Sequence, residues 1–166
     1  MNSERPIIKV IPTKKDNLVD RLSWIFIAAT WVYTIVQYTN LPATIPVHFN
    51  IEGKIDNYGS RATIFILPAV LTIVVTGFTF LSRVPHIFNY PYKITPGNAL
   101  ASYTKSIQLL RILKFIISIF SLVITFQIIQ SAKAGYSKLQ WWFIPLFIGS
   151  MIIPIVISLY SLSKSK

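Results

Sequence analysis

The sequence predicts an all-α integral membrane protein in which four transmembrane helices carry a small extracytoplasmic β-hairpin-like loop. Three observations lead there. The chain has four long stretches without a charged side chain, its Lys and Arg fall unevenly between the connecting segments, and one polar stretch, "IPVHFNIEGKIDNYGSR", reads as a tight turn between extended arms. Of 166 residues, 53% are hydrophobic and only 13% charged, with mean hydropathy +0.58. A water-soluble domain of this size needs more polar surface.

In chain order, residues 1–21 form a polar tail and the first apolar stretch is 22–38. Residues 39–61 hold the polar motif, 62–82 the second stretch, and 83–114 a basic loop running into a helix. The third stretch is 115–132, followed by a short connection at 133–138, the fourth stretch at 139–162 and a tail at 163–166. Each stretch suits a membrane helix, because about 20 apolar residues rising 1.5 Å apiece cross a hydrocarbon layer of roughly 30 Å. A soluble bundle would instead show a polar stripe at helical spacing, and these stretches are apolar on every face. Trp24, Tyr38, Trp141, Trp142 and Tyr160 lie near their ends, at the level amphipathic rings favour, whereas Trp31 and Tyr33 must pack inside. The first stretch is expected to stay as an anchor rather than be cleaved, since a polar segment precedes it and bulky aromatics fill its middle. With no cysteine, the chain uses neither disulfides nor thiolate metal sites.

The net charge of +11 matters through its placement. If four helices alternate, Arg5, Lys9, Lys14, Lys15, Arg21, Arg83, Lys93, Lys105, Arg111, Lys164 and Lys166 share one side. The other side holds only Lys54, Arg61, Lys133 and Lys138, and Lys114 sits at the inner end of the third span. This asymmetry predicts a multi-pass protein of the bacterial inner membrane with both termini cytoplasmic. Topology and attraction to the lipid bilayer account for the basicity, so no nucleic-acid partner is expected.

The polar stretch then lies outside the cytoplasm. Asn50-Ile51-Glu52-Gly53 has Asn at the first and Gly at the fourth position of a type I turn, the pattern of a three-residue hairpin loop closed by a left-handed glycine. The expected register pairs Asn50 with Lys54, Phe49 with Ile55 and His48 with Asp56. Alternation would then group His48, Asn50, Lys54 and Asp56 on one face and Val47, Phe49 and Ile55 on the other. Ser60 is positioned to cap the second helix.

"LPATIPVHFNIEGKIDNYGSRATIFILP" resembles the motif of the bacterial family called domain of unknown function 1648, which runs roughly L-P-x-x-I-P-x-H-F-N-x-x-G-x-x-D-x-x-G-S-K before a membrane helix. Pro46, His48, Phe49, Asn50, Gly53, Asp56, Gly59 and Ser60 all fall at its spacing, and Arg61 keeps the charge of the commoner Lys. "NYPYKITPGNALASYTKSIQLLRILKF" resembles the segment that follows in many members. The resemblance implies a membrane domain shared with Sdp-type immunity proteins, which protect a producing cell from its own toxic peptide and signal to a repressor.

His48, Glu52 and Asp56 are the candidate metal ligands, but Glu52 sits at the turn tip and points away in the simplest hairpin. A structural His48–Asp56 pair is therefore favoured over a metal site, with recognition of an outside ligand as the remaining reading. No cofactor is expected. Catalysis is not expected either, since H-E-x-x-H, G-x-S-x-G and a Gly-rich phosphate loop are all absent and the two histidines fall on opposite sides. Transport by a monomer would usually need an ionisable group within a span, and only Gln127 and Gln130 are offered. The expected function is a binding or signalling and immunity-like component with an extracellular peptide or membrane-protein partner. The alternative is a subunit of a larger transport or export assembly. Beyond the Pro96-Gly97 turn, one helix is expected from Ala99 to about Ala132, with Lys105, Arg111 and Lys114 scattered around it towards lipid headgroups.

Overall fold

The computed structural model describes residues 5–164, so Lys166 of the charge reading lies outside the described residues. Its order is α1 (Lys14–Tyr38), β1 (Thr44–Phe49), β2 (Ile55–Ser60), a 3-10 turn (Arg61–Phe65), α2 (Ile66–Leu81), a second 3-10 turn (Pro85–Ile87), α3 (Ala99–Ala134) and α4 (Phe143–Ser163). Four helical segments are long and apolar enough to cross a membrane, and the two strands form one antiparallel sheet. The expected fold class is borne out.

Helix α1 starts before the charge-free stretch, because Thr13 and Asp16 form a capping box. The Thr13 N–H donates to Asp16 Oδ2 at 2.8 Å and the Asp16 N–H donates to Thr13 Oγ1 at 3.2 Å. Two of the orphan donors at the helix start are thereby satisfied. Helix α3 runs unbroken for 36 residues and stops at Gly135, whose φ of 74° closes the last turn through an N–H bond to Ser131 O at 3.0 Å.

Helix α3 is the hub, packing against α1, α2 and α4. Its contact with α1 includes Phe26 against Phe115 and Tyr33 against Phe126, and both helices bury small hydroxyl residues. Ser23, Thr30 and Thr34 are buried on α1, as are Ser118, Ser121 and Thr125 on α3. Small side chains let helix backbones approach closely, which is the main source of attraction when the surroundings are as apolar as the side chains. Most of these hydroxyls donate to a carbonyl one turn back, as Thr30 does to Phe26 O at 2.8 Å and Ser118 to Lys114 O at 2.8 Å. Ser23 and Thr34 do the same, whereas the buried Ser121 and Thr125 hydroxyls have no hydrogen-bond partner among the described residues. Trp31 does pack inside, donating its indole N–H to Thr72 Oγ1 at 3.0 Å on α2.

The two ends of the bundle differ in construction. At one end Leu41, Ile45, Ile64 and Ile129 form a core under the hairpin. At the other, the segment before α1 lies against the loop preceding α3, with Ile8 and Val10 packed on Tyr90, Ile94, Ala99 and Tyr103. The Tyr103 hydroxyl donates to Pro6 O at 3.0 Å, and the Arg5 guanidinium lies 5.7 Å from the Tyr90 ring centre. Burial pushes the Tyr90 phenol up, and it donates to Pro85 O at 3.0 Å.

Candidate functional site

The hairpin turn follows from its sequence. The Asn50 carbonyl accepts the Gly53 N–H at 2.8 Å, and the Asn50 N–H donates to Lys54 O at 2.9 Å. The Asn50 side-chain oxygen accepts two more bonds, from the N–H of Glu52 at 3.0 Å and of Lys54 at 2.9 Å. Gly53 has φ 77°, in the left-handed region that a residue without Cβ enters at little cost. Glu52 and Lys54 pair at 2.7 Å on the exposed tip, and Lys54 draws the Glu52 carboxyl below its usual range by hydrogen bond and charge.

The register needs one correction. Thr44 pairs with Ser60, Ile45 with Gly59, Pro46 with Tyr58 and Phe49 with Ile55, as the turn geometry requires. His48, however, lies opposite Asn57 rather than Asp56. The ladder slips by one residue on each side of His48, so that Val47 and Asp56 are the extra residues of two compensating bulges. Two residues favour this irregularity. Pro46 has no N–H to give the ladder, and Gly59 leaves room for Val47, since a Cβ at Gly59 would meet Val47 Cγ1 at 2.8 Å.

The side chains of His48 and Asp56 still meet, Nδ1 to Oδ1, at 2.6 Å. Both are well exposed, at 65% and 42%. Strict alternation of faces fails as well. Ile45 and Pro46 are buried in succession, Val47 is exposed, and Phe49 and Ile55 are half-buried.

The tip is docked rather than free. Gly53 is buried, its carbonyl accepts the Ser137 hydroxyl, and a Cβ on it would stand 3.0 Å from Leu139 O. The α3–α4 connection thus holds the turn from below. At the other end Ser60 caps the first helical turn, accepting the Ala62 N–H at 3.4 Å, and its carbonyl accepts the Thr63 hydroxyl at 2.7 Å. Of the motif residues, Pro46 and Gly53 are buried and Gly59 is half-buried, while His48 and Asp56 face outward as a pair. Glu52 faces Lys54 instead of the histidine, and among the described residues no three of His, Cys, Asp and Glu gather around one point.

A second polar constellation was missed by sequence reasoning. Arg111 and Lys114 do not spread towards lipid headgroups but turn inward onto α1. Arg111 pairs with Asp16 at 3.3 Å and Asp20 at 3.1 Å, and Lys114, only 3% exposed, bonds Asp20 and lies 3.4 Å from Thr79 Oγ1 on α2. The signal was present as Asp16 and Asp20 at i, i+4 on α1 facing Arg111 and Lys114 at i, i+3 on α3, two matched helix faces. Lys105 instead donates to Ser161 O at 2.9 Å on α4.

Residues 25–72 match the family model described as Domain of unknown function (DUF1648). The match spans most of α1, the whole hairpin and the first part of α2. An uncharacterized protein of the archaeon Archaeoglobus fulgidus is 40% identical over 79 residues, which are 43% of this chain and 43% of that protein. The aligned part is thus less than half of the relative's length. No solved structure matches the chain.

Proposed function

We propose that this chain is a multi-pass membrane protein that recognises a ligand outside the cytoplasm through its hairpin, as a non-enzymatic binding, signalling or immunity-like component. The observation that carries the reading is the mounting of the hairpin. Its turn is fixed by Asn50, its tip is pinned to Ser137 and Leu139, and its base is buried through Ile45, yet the His48–Asp56 pair stands in the open. Exposed polar groups held on a rigid frame are the usual makings of a binding surface. The distribution of Lys and Arg supports cytoplasmic termini, with the hairpin on the opposite face of the cell membrane. The second reading is a subunit of a larger transport or export assembly.

The test is protection of sensitive cells against a panel of amphipathic toxic peptides, with binding of each labelled peptide measured on the purified chain. Recognition by the hairpin requires that His48→Ala and Asp56→Ala each lose protection and binding while membrane levels stay normal. Equal protection by wild type and both variants, or stable co-purification with a multi-span or ATPase subunit and no peptide binding, would favour the second reading.

A further inference from the structure

A groove runs down the bundle beneath the hairpin. Helices α2 and α4 share α3 as a packing partner, and the space between them is floored by α3. Its upper part is a cavity of about 590 Å³ walled by Pro46 and Val47 of β1, Val70 of α2, Ile124 of α3 and Phe143 of α4. A lower cavity of about 260 Å³ shares Ile124 and Phe143 with it and ends at Ile117 and Phe147. The walls are apolar side chains apart from His48 and Thr63 in the upper part and Ser121 in the lower.

Depth narrows the choice of occupant. Along α3 the groove extends from Ile128 to Ile117, and eleven residues at 1.5 Å apiece give about 16 Å, half of a hydrocarbon layer of roughly 30 Å. Helix α2 contributes only between Ile66 and Leu71, and α4 only between Phe143 and Phe147, the turns nearest the hairpin. The groove therefore lies within one leaflet and is roofed by β1. A partner's transmembrane helix crosses both leaflets and would run into that roof. A lipid ends at the interface.

Charge narrows it further. At the hairpin end, both acids are already engaged, Glu52 by Lys54 and Asp56 by His48. Arg61, Lys133 and Lys138 have no ion pair among the described residues; they rest on Tyr38, Gln37 and Tyr136. Arg61 lies two residues before Thr63, which lines the groove, whereas Lys138 lines a separate cavity with Gln127 and Trp142. A cation at a membrane interface next to an apolar furrow fits a phosphate head with its chain below.

We propose that the groove binds an acidic phospholipid of the hairpin-side leaflet, with an acyl chain lying along α3 between α2 and α4 and the phosphate near Arg61. This rests on the membrane-spanning architecture and not on what the polar face of the hairpin recognises. The full chain would be reconstituted in phosphatidylcholine vesicles doped with phosphatidylglycerol bearing a photoreactive group at its chain end, or with phosphatidylcholine bearing the same group. The phosphatidylglycerol probe should label Ile117, Ile124 or Phe147 at least about tenfold more than the phosphatidylcholine probe, a difference of about 1.4 kcal/mol. Unlabelled phosphatidylglycerol should compete on the wild-type chain, which needs no variant. Val70→Trp should remove the labelling, while Ile153→Trp on the outer face of α4 and Asp56→Ala, at a residue that does not line the groove, should keep it. Even labelling of Ile152, Ile153 and Val156, equal labelling by both probes, or no competition would mean ordinary lipid contact and would overturn the site. Because Asp56→Ala is expected to spare labelling and to abolish peptide recognition, the two proposals fail separately.

Discussion

Gly53→Val is the sharpest test of how the hairpin is held. The glycine sits at φ 77°, and placing an L side chain there costs about 1–2 kcal/mol, more when the side chain is β-branched. The new Cβ would also stand 3.0 Å from Leu139 O and 3.7 Å from Leu139 C, both backbone atoms that cannot swing aside. Relieving that contact lifts the tip and breaks the bond from Ser137 to Gly53 O, worth about 0.5–1.5 kcal/mol. Together these predict a loss of about 2–4 kcal/mol in the closed hairpin. His48→Ala removes only an exposed pair, and should cost about 0.2–1 kcal/mol. Amide hydrogen exchange at Gly53 or its substitute and at Lys54, whose N–H groups close the turn onto Asn50, reads this opening directly. Gly53→Val should speed exchange about 30- to 1,000-fold, and His48→Ala less than about tenfold. Gly53→Asn separates the two causes, because Asn tolerates positive φ but still carries the Cβ against Leu139. Val and Asn exchanging alike would assign the cost to the contact. Val exchanging no faster than His48→Ala would refute the docking argument altogether.

Three further outcomes are expected. Cysteines introduced at Glu52 and Lys133 should react with a membrane-impermeant thiol reagent in intact cells while one at Lys93 stays protected, in a chain with no cysteine of its own; labelling of Lys93→Cys alone would invert the topology. Asp20→Asn should destabilise the bundle by about 3–5 kcal/mol in detergent unfolding, because it strands the buried Lys114 ammonium, whereas Lys114→Met should cost clearly less, since Asp20 keeps Arg111; the reverse order would show that Lys114 finds another partner. Thr13→Ala should cost about 0.5–2 kcal/mol and fray the first turn of α1, visible as faster exchange at Asp16; unchanged exchange would mean that the capping box is dispensable.

The four spans and the turn were legible in the sequence because each is written locally. A run without charges specifies a membrane helix by composition, and Asn50 and Gly53 specify the turn by their own backbone preferences. The bulges were not legible. They depend on how Val47 sits against Gly59 across the ladder, and an ideal pleat assigns His48 to Asp56 without knowing that Pro46 cannot donate. The docking of Gly53 was hidden for a similar reason: its partner, Leu139, lies far along the chain and reads as the first residue of the fourth apolar stretch, although the helix itself begins only at Phe143. The start of α1 at Lys14 was in principle readable from Thr13-x-x-Asp16, but a search for uncharged stretches passes over a helix that begins with charges.

The acids explain how a chain so basic still has defined polar contacts. There are only five, and four of them, Asp16, Asp20, Glu52 and Asp56, lie among the described residues. All four are paired, two with Arg111 and Lys114 where α1 meets α3, and two with Lys54 and His48 on the hairpin. With sixteen Lys and Arg in the chain, most cations must find something other than a carboxylate, and several here lie over aromatic rings or bond carbonyl oxygens. Such contacts hold a cation loosely and leave its charge available to lipid. The acids therefore mark the places where geometry is fixed. One clamps the helices at the end away from the hairpin, where a buried charge would otherwise sit unpaired in a low-dielectric layer. The other arranges an exposed pair on a docked frame, where stability gains almost nothing from it. On the function proposed above, the exposed His48–Asp56 pair, and not the better buried cluster at Lys114, is therefore the place to test for recognition.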